Sequence, residues 1–112
     1  GALGYVIINA TDSEKSAKFW SAVTGRELGD VSPPYIDLPS TNNEDGVAIS
    51  IQQVPDQESL GMHIDIVVDD IDEAIQQITA LGGELVEEKS EGNWRWVVMQ
   101  DPDGNRFCLV TN

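Results

Sequence analysis

The sequence contains a single histidine, His63, and a single cysteine, Cys108, and each lies in a run with strand-like alternation. His63 precedes Asp65 by two residues, so both side chains project from the same face of a strand. A carboxylate orients an imidazole for acid–base work, which makes His63 the candidate catalytic residue. Cys108 is a candidate nucleophile or soft metal ligand. The alternatives are that His63 only hydrogen-bonds within a pocket lining and that Cys108 packs as a small hydrophobic residue.

Charge limits the partners that such a site can have. The 112 residues include 20 Asp and Glu against 6 Lys and Arg, a formal net charge of −14. Nucleic-acid binding needs a basic surface and anionic membranes repel this charge, so neither is an expected partner. Solubility is the expected role of the acidic surface, and attraction of a cationic ligand is the alternative. A lone cysteine forms no internal disulfide, which predicts a cytoplasmic protein.

The chain repeats itself at an offset of 58 residues, which is the distance from Asp12 to Asp70. These acidic residues end two apolar runs, and the glycines that end the next helical stretches share the offset. So do the Asp-Gly pairs that open the last apolar runs. Three landmarks in one register indicate a duplicated unit. The landmark pairs are Asp12 and Asp70, Gly25 and Gly83, and Asp45-Gly46 and Asp103-Gly104.

Each half reads as βαβββ. In the first half Thr11 is the predicted helix cap, with Glu14 reaching back to it, and Phe19, Trp20 and Val23 form the apolar stripe. We expect one domain over 1–112, with a first module over about 1–54, a linker over 55–59 and a second module over about 60–112. The predicted strands are 3–9, 27–31, 35–38 and 46–53 in the first half and 61–68, 84–88, 93–99 and 105–110 in the second; the helices end at Gly25 and at Gly82-Gly83.

The predicted strands are apolar toward their helix and mixed on the opposite face. Two curved sheets that join their mixed faces would enclose a concave small-molecule site. The alternative is that the mixed face is partly solvated, as in many antiparallel sheets. Trp94 and Trp96 share one strand face, and Val97 and Met99 share the other. Which of these two sets lines the concave site is left open by the sequence.

Four motifs fall in order on this frame: Lys-Phe-Trp at 18–20 with Gly25, His-Ile-Asp-Ile-Val-Val-Asp-Asp at 63–70, Leu-Gly-Gly at 81–83, and Asp-Pro-Asp-Gly-Asn at 101–105 followed by Phe-Cys-Leu at 107–109. Together they resemble the glyoxalase/bleomycin resistance/dioxygenase superfamily, also called vicinal oxygen chelate proteins, and its small glyoxalase-like domain subgroup. The resemblance covers nearly the whole chain. It implies an α+β fold in which two tandem βαβββ modules form mixed curved sheets around a concave site, and it implies a homodimer.

Catalytic members of that family hold a divalent metal with ligands from the first and last strands of each module. The resemblance places those positions on Tyr5, Ser50, His63 and Cys108, which departs from the family's His and Glu pattern. This set offers no carboxylate for a hard ion. It offers zinc only two ligands, with Asp65 as a helper. We therefore expect no metal ligands and no cofactor, and a bound divalent metal is the alternative.

These observations predict a small-molecule-binding protein of the glyoxalase/bleomycin resistance type, without the family's catalytic metal. The alternative is an enzyme, a lyase or isomerase, that uses His63 as an acid–base group or metal ligand. A module that has lost its ligand and binds a protein partner is the third candidate. The expected partners are a small-molecule ligand and a second copy of the chain. The predicted ligand-binding residues are Tyr5, Ile7, Ser50, His63, Asp65 and Cys108.

Overall fold

A computed structural model of the protein describes residues 1–40 and 46–111, and Asp45 of the predicted repeat lies outside these residues. The chain divides into two compact units. The N-terminal unit is Gly4–Met62, and the C-terminal unit is His63–Asn112 together with Gly1–Leu3. Neither helix in the described part of the chain is long and apolar enough to cross a membrane.

The N-terminal unit contains four strands and one helix in the order βαβββ. Its strands are arranged β2-β3-β4-β1, with β1 parallel to β4 and the other neighbours antiparallel. The predicted linker contains a short 3-10 helix, Gln57–Ser59. The elements are β1 (Ala2–Ala10), α1 (Ser13–Thr24), β2 (Val31–Ser32), β3 (Tyr35–Leu38) and β4 (Ala48–Gln53).

The C-terminal unit repeats this order and pairing. Its strands are arranged β5-β8-β7-β6, with β5 parallel to β8 and the other neighbours antiparallel. The predicted α+β fold of two βαβββ modules is thereby confirmed. The elements are β5 (Gly61–Val67), α2 (Ile71–Ala80), β6 (Glu84–Glu91), β7 (Trp94–Gln100) and β8 (Arg106–Val110).

The duplication extends to the pairing register. Ile7 lies opposite Ser50 in the first parallel pair, and Asp65 lies opposite Cys108 in the second. Each member of the second pair follows its counterpart by the predicted 58 residues. The repeat is therefore a property of the backbone hydrogen-bond ladder as well as of the turn residues.

Aspartates begin both helices. The side chain of Asp70 accepts a hydrogen bond from the Glu73 N–H, as its position before α2 predicts. The cap of α1 is Asp12, which accepts from the Lys15 N–H at 3.1 Å. The prediction of Thr11 as the cap is therefore wrong by one residue, because Asp12 is the residue whose carboxylate reaches the free amide of the first turn.

Strand β2 is shorter than predicted. The sequence places it over 27–31, but the structure confines it to Val31–Ser32. Before β2, the Gly29 N–H donates to the Asp37 carbonyl and the Asp37 N–H donates to the Asp30 carbonyl. Pro33 and Pro34 form the turn between β2 and β3 and have no N–H, so they end the pairing at the C-terminal side of β2. The regular ladder consists of Val31 opposite Ile36 and Ser32 opposite Tyr35.

The N-terminal core lies between α1 and the sheet. Ala17 and Trp20 pack there against strand side chains, including Leu38 and Ile51, which are fully buried. The predicted stripe on α1 is only partly right, because Phe19 and Val23 are 59% and 61% exposed. They lie beside the buried face of the helix rather than within it.

The C-terminal core lies between α2 and its sheet. Val97, Met99 and Leu109 are fully buried and pack with Ile71 and Ala74 of the helix. Since side chains alternate along a strand, the neighbours of Val97 and Met99 on β7 project from the opposite face. We call the sheet face opposite the module's own helix the distal face.

Candidate functional site

Neighbouring strands bring together His63, Asp65 and Cys108 in the C-terminal unit. His63 and Asp65 are two residues apart on β5, so their side chains lie on the same face of the sheet. Asp65 lies opposite Cys108 in the pairing of β5 with β8. One ligand atom from each of the three residues lies within 4.8 Å of the other two. We call this set the His–Asp–Cys cluster.

Asp65 has a buried acceptor without a hydrogen-bond partner in the described part of the chain. Its side chain is 16% exposed, and its Oδ1 has no hydrogen-bond partner among the described residues. The His63 Nε2 lies 3.6 Å from this oxygen, which is too long for a hydrogen bond. An unsatisfied buried polar atom costs about 1–3 kcal/mol. A donor or a cation from a ligand would remove that cost.

Asp65 and Cys108 both have raised pKa values. Burial raises the pKa of Asp65, and the nearby His63 opposes that shift. Burial also raises the pKa of the Cys108 thiol to about 11, with the charge of Asp65 adding to the shift and Lys89 opposing it. Cys108 is therefore a thiol at neutral pH, which disfavours its role as a free nucleophile.

Two tryptophans share the distal face with the cluster. Val98 lies opposite Cys108 in the pairing of β7 with β8, so the even-numbered residues of β7 lie on the face of Cys108. Trp94 and Trp96 therefore lie on the distal face, and Val97 and Met99 lie on the face of the helix. Trp94 is 55% exposed and available for stacking.

The remaining predicted site residues lie in the N-terminal unit. Ile7 and Ser50 are buried opposite each other, and Tyr5 lies two residues before Ile7 on the same strand face. The Ser50 hydroxyl donates to Asp37 Oδ1 at 2.8 Å. Ser50 thus has a partner within its own unit, whereas Asp65 Oδ1 has none among the described residues. The structure brings Ile7 to Ser50 and groups His63, Asp65 and Cys108.

A shallow cavity of about 360 Å³ lies elsewhere in the N-terminal unit. It is formed where β1 ends and α1 begins, and Asn9, Lys15, Phe19 and Leu60 help to line it. The Asn9 Nδ2 donates to the Ser59 carbonyl, while its Oδ1 is buried without a partner in the described residues. None of the predicted site residues lines this cavity.

The His–Asp–Cys cluster fits a zinc ion better than the sequence indicates. Zinc binds an imidazole nitrogen, a carboxylate oxygen and a thiolate, and a catalytic or exchangeable site leaves its fourth position open. The sequence offers zinc two ligands, His63 and Cys108. The structure adds Asp65 as a third, because Asp65 lies opposite Cys108 in the sheet. The unpartnered Asp65 Oδ1 supports the fit, since a cation would satisfy it.

Sequence reasoning missed two features of these sites. The bond from Ser50 to Asp37 joins strands whose register the sequence does not give. Alternation along Tyr35–Leu38 places the side chain of Asp37 on the sheet face away from the buried Ile36 and Leu38. The face of Asp37 could therefore be predicted from the sequence. The closeness of Asp65 and Cys108 depends on the order of the strands in the sheet. The 58-residue repeat would predict it only if the pairing of Ile7 with Ser50 were already known.

Comparison with protein families supports the assignment of the fold. The profile of a family described as a glyoxalase-like domain matches residues 5–110 of the chain. No curated protein sequence matches the chain significantly.

Solved structures share the fold at low sequence identity. A chain from the NAD-dependent benzaldehyde dehydrogenase structure of Legionella pneumophila superposes with a TM-score of 0.73 and 17% identity, covering 96% of each chain. A hypothetical protein of Bacillus halodurans C-125 gives 0.72 and 17%, covering 98% of this chain and 93% of that chain. A variant of the methylmalonyl-CoA epimerase of Streptomyces coelicolor, in complex with 2-nitronate-propionyl-CoA, gives 0.68 and 17%, covering 99% and 96%. Similarity at this identity shows the fold alone.

Proposed function

The chain belongs to the glyoxalase-like domain family, and on that premise we propose that it binds a small molecule on the distal face of its C-terminal sheet. The observation that carries the proposal is the buried Asp65 Oδ1, which has no partner among the described residues and lies beside His63 and Cys108. A carboxylate kept in that state costs stability, so a role in binding accounts for it better than a role in folding.

The chemistry of the distal face defines the ligand we propose. Asp65 takes a hydrogen-bond donor or a cationic group, and His63 offers a second polar contact. Trp94 and Trp96 provide flat surfaces for an aromatic or cationic part of the ligand. Separately, Tyr5, Ile7 and Ser50 are proposed as ligand-binding residues of the N-terminal unit. The epimerase neighbour was solved with an acyl-CoA analogue, so acyl thioesters belong among the first compounds to test.

A thermal-shift screen tests the proposal. The chain is screened in a chelating buffer against acyl-CoA thioesters, aromatic amines and cationic antibiotics of the bleomycin type. A ligand present at 100 times its Kd adds about 2.7 kcal/mol to the free energy of unfolding and raises the melting temperature. If no compound of these classes raises it, the small-molecule proposal fails.

Variants locate the binding site of any compound that the screen finds. We expect Trp94→Ala to weaken binding roughly three- to tenfold, the loss of one aromatic contact, while Trp94→Phe retains most of the affinity. Phe19→Ala is the matched control, because Phe19 is an equally exposed aromatic residue that lines the N-terminal cavity. Loss of binding in Phe19→Ala alone would place the ligand in that cavity and contradict the proposal.

A lyase or isomerase activity is the second candidate. It is favoured by the pairing of His63 with Asp65 at 3.6 Å, since a carboxylate can orient an imidazole for proton transfer. In that role His63 would remove a proton from a carbon acid and return it from the same ring nitrogen. His63→Ala should then abolish turnover while ligand still binds. Equal turnover by His63→Ala and the wild type would reject the acid–base role.

We also infer a homodimer in a reducing cytoplasm. Phe19 and Val23 are exposed four residues apart on α1, which gives the helix an apolar ridge suited to a second copy. The single cysteine, Cys108, is what supports the reducing compartment in this proposal. Size-exclusion chromatography with light scattering should give twice the mass of 12.2 kDa. Val23→Glu should shift that mass to the monomer, and a monomeric wild type would overturn the inference.

A further inference from the structure

We infer that the His–Asp–Cys cluster binds a divalent ion of the zinc class through one compact unit of the chain. The inference rests on the proposed function only in placing both the ion and the organic ligand on the distal face. The family pattern draws its metal ligands from both modules and uses His and Glu. Here Asp65, which has no counterpart in that pattern, would complete a set drawn from β5 and β8.

The distances of the cluster allow coordination after a small contraction. In a tetrahedral zinc site with bonds of about 2.0–2.3 Å, the ligand atoms lie roughly 3.3–3.7 Å apart. His63 Nε2 and Asp65 Oδ1 are already 3.6 Å apart. All three ligand atoms lie within 4.8 Å of one another, so rotation of the Cys108 side chain and small shifts of the others would close the set.

The burial of Asp65 points to a cation rather than to an internal partner. Its Oδ1 is buried and accepts no hydrogen bond from any residue that the structure describes. A protonated His63 would supply a charge but not a hydrogen bond at that separation. A metal ion between the two side chains would bind both at once and leave neither unsatisfied.

The donor types select the ion. A thiolate and an imidazole favour zinc and cobalt over magnesium and calcium, which prefer a shell of oxygen ligands. Binding displaces the Cys108 thiol proton to solvent, so one thiolate, one carboxylate and one neutral imidazole balance the two charges of the ion. Three protein ligands leave one coordination position for a water molecule or a ligand atom.

Cobalt titration tests the inference directly. The full chain is stripped of metal with a chelator, dialysed and titrated with Co²⁺ while its absorption spectrum is recorded. We expect a thiolate-to-cobalt charge-transfer band in the near ultraviolet and intense visible bands typical of four-coordinate cobalt, saturating at one ion per chain. One equivalent of Zn²⁺ should remove these bands. Binding without the charge-transfer band would show that Cys108 is not a ligand and would overturn the inference.

Three variants assign the ligands. Cys108→Ser should remove the charge-transfer band, and Asp65→Asn and His63→Ala should weaken zinc binding more than roughly 100-fold, the upper range for loss of a mere supporting residue. Glu87→Gln is the matched control, because Glu87 is an exposed carboxylate whose partner on β7 is Val98. Circular dichroism confirms that each variant is folded. Wild-type affinity in Asp65→Asn would overturn the three-ligand site.

The two proposals for the distal face can fail separately. The thermal-shift screen is done with chelator present, so an organic ligand that binds there does so without metal. Failure of cobalt to bind leaves that result intact and rejects the metal site alone. Failure of every organic compound, with cobalt bound through Cys108, rejects the small-molecule proposal and retains the metal site.

Discussion

Asp65 lies opposite Cys108 in the parallel pairing of β5 with β8, in the same register in which Ile7 faces Ser50 fifty-eight residues earlier. The repeated backbone therefore presents different chemistry at equivalent places. The first pair consists of an apolar side chain and the Ser50 hydroxyl, which donates a hydrogen bond to Asp37. The second is carboxylate and thiol. The carboxylate without a hydrogen-bond partner among the described residues, Asp65, therefore lies in the C-terminal unit of the repeat.

Asp65→Asn should stabilise the metal-free protein at neutral pH. The pKa of Asp65 is raised in the folded state, so its stabilising contribution is present below the ordinary carboxyl pKa of 3.8 and is lost as pH rises through the raised value. Burial disfavours the charged form of this carboxylate, and an amide removes that charge. The melting temperature should therefore rise at pH 7, and the gain should shrink below pH 3.8.

The control for this prediction is Glu87→Gln, which neutralises an exposed carboxylate on the same sheet. Its melting temperature should change little at either pH. A lower melting temperature for Asp65→Asn than for the wild type at pH 7 would show that the carboxylate contributes to folding. It would thereby remove the main support for a binding role.

Alkylation of Cys108 should be slow at neutral pH. Burial and the charge of Asp65 raise the thiol pKa to about 11, while Lys89 on β6 opposes the shift. Because the thiolate is the reactive form, the rate with iodoacetamide should increase with pH up to about 11. In denaturant the same thiol should titrate near its ordinary value of 9.0. A native rate that levels off near pH 7 would mean that Cys108 is an activated nucleophile.

Two buried side chains at equivalent repeat positions should matter equally. Ile51 and Leu109 differ by the repeat offset, and both are 0% exposed. Truncation of either to alanine leaves a cavity in its core, so we expect each variant to lose about 2–5 kcal/mol of unfolding free energy. Urea denaturation followed by circular dichroism measures both. A loss below about 1 kcal/mol in one of them would mean that its core is not closely packed.

The identity of the α1 cap is open to a simple comparison. Asp12 accepts from the Lys15 N–H, so Asp12→Ala should cost about 1 kcal/mol of unfolding free energy. Thr11→Ala should cost much less, because the structure uses the backbone carbonyl of Thr11, which accepts from the Gln53 side chain. If Thr11→Ala proves the more damaging of the two in thermal melts, Thr11 is the cap after all.

Local patterns in the sequence predict most of the frame. Alternation locates seven of the eight described strands, and the aspartate before Ile71 marks the start of α2 because its carboxylate meets free amides there. The repeat offset carries over to the parallel pairing register, since turn glycines and strand residues were duplicated together. Strand β2 is shorter than the predicted 27–31, because residues 27–30 lie outside the regular ladder with β3 and side-chain pattern does not reveal where pairing begins.

The site is less predictable than the frame. The spacing of His63 and Asp65 places them on one face, but their contact with Cys108 requires the strand order β5-β8. Whether Ser50 or Asp65 has a partner depends on the residue opposite it across the sheet. Asp37 lies opposite Ser50 and accepts its hydroxyl hydrogen bond, whereas Asp65 lies opposite Cys108 and its Oδ1 accepts no hydrogen bond from the residues that the structure describes. The burial of a side chain and its hydrogen-bond partners depend on the folded sheet, so they cannot be predicted from the composition of the chain.

The most direct test of the proposed site is a two-dimensional proton–nitrogen NMR spectrum of the labelled chain, recorded with and without the screened compound that raises the melting temperature most. We predict that amide signals of β5 and β8 near His63, Asp65 and Cys108 shift on binding, together with the indole signals of Trp94 and Trp96. Shifts confined to Asn9, Lys15 and Phe19 around the N-terminal cavity would contradict the account.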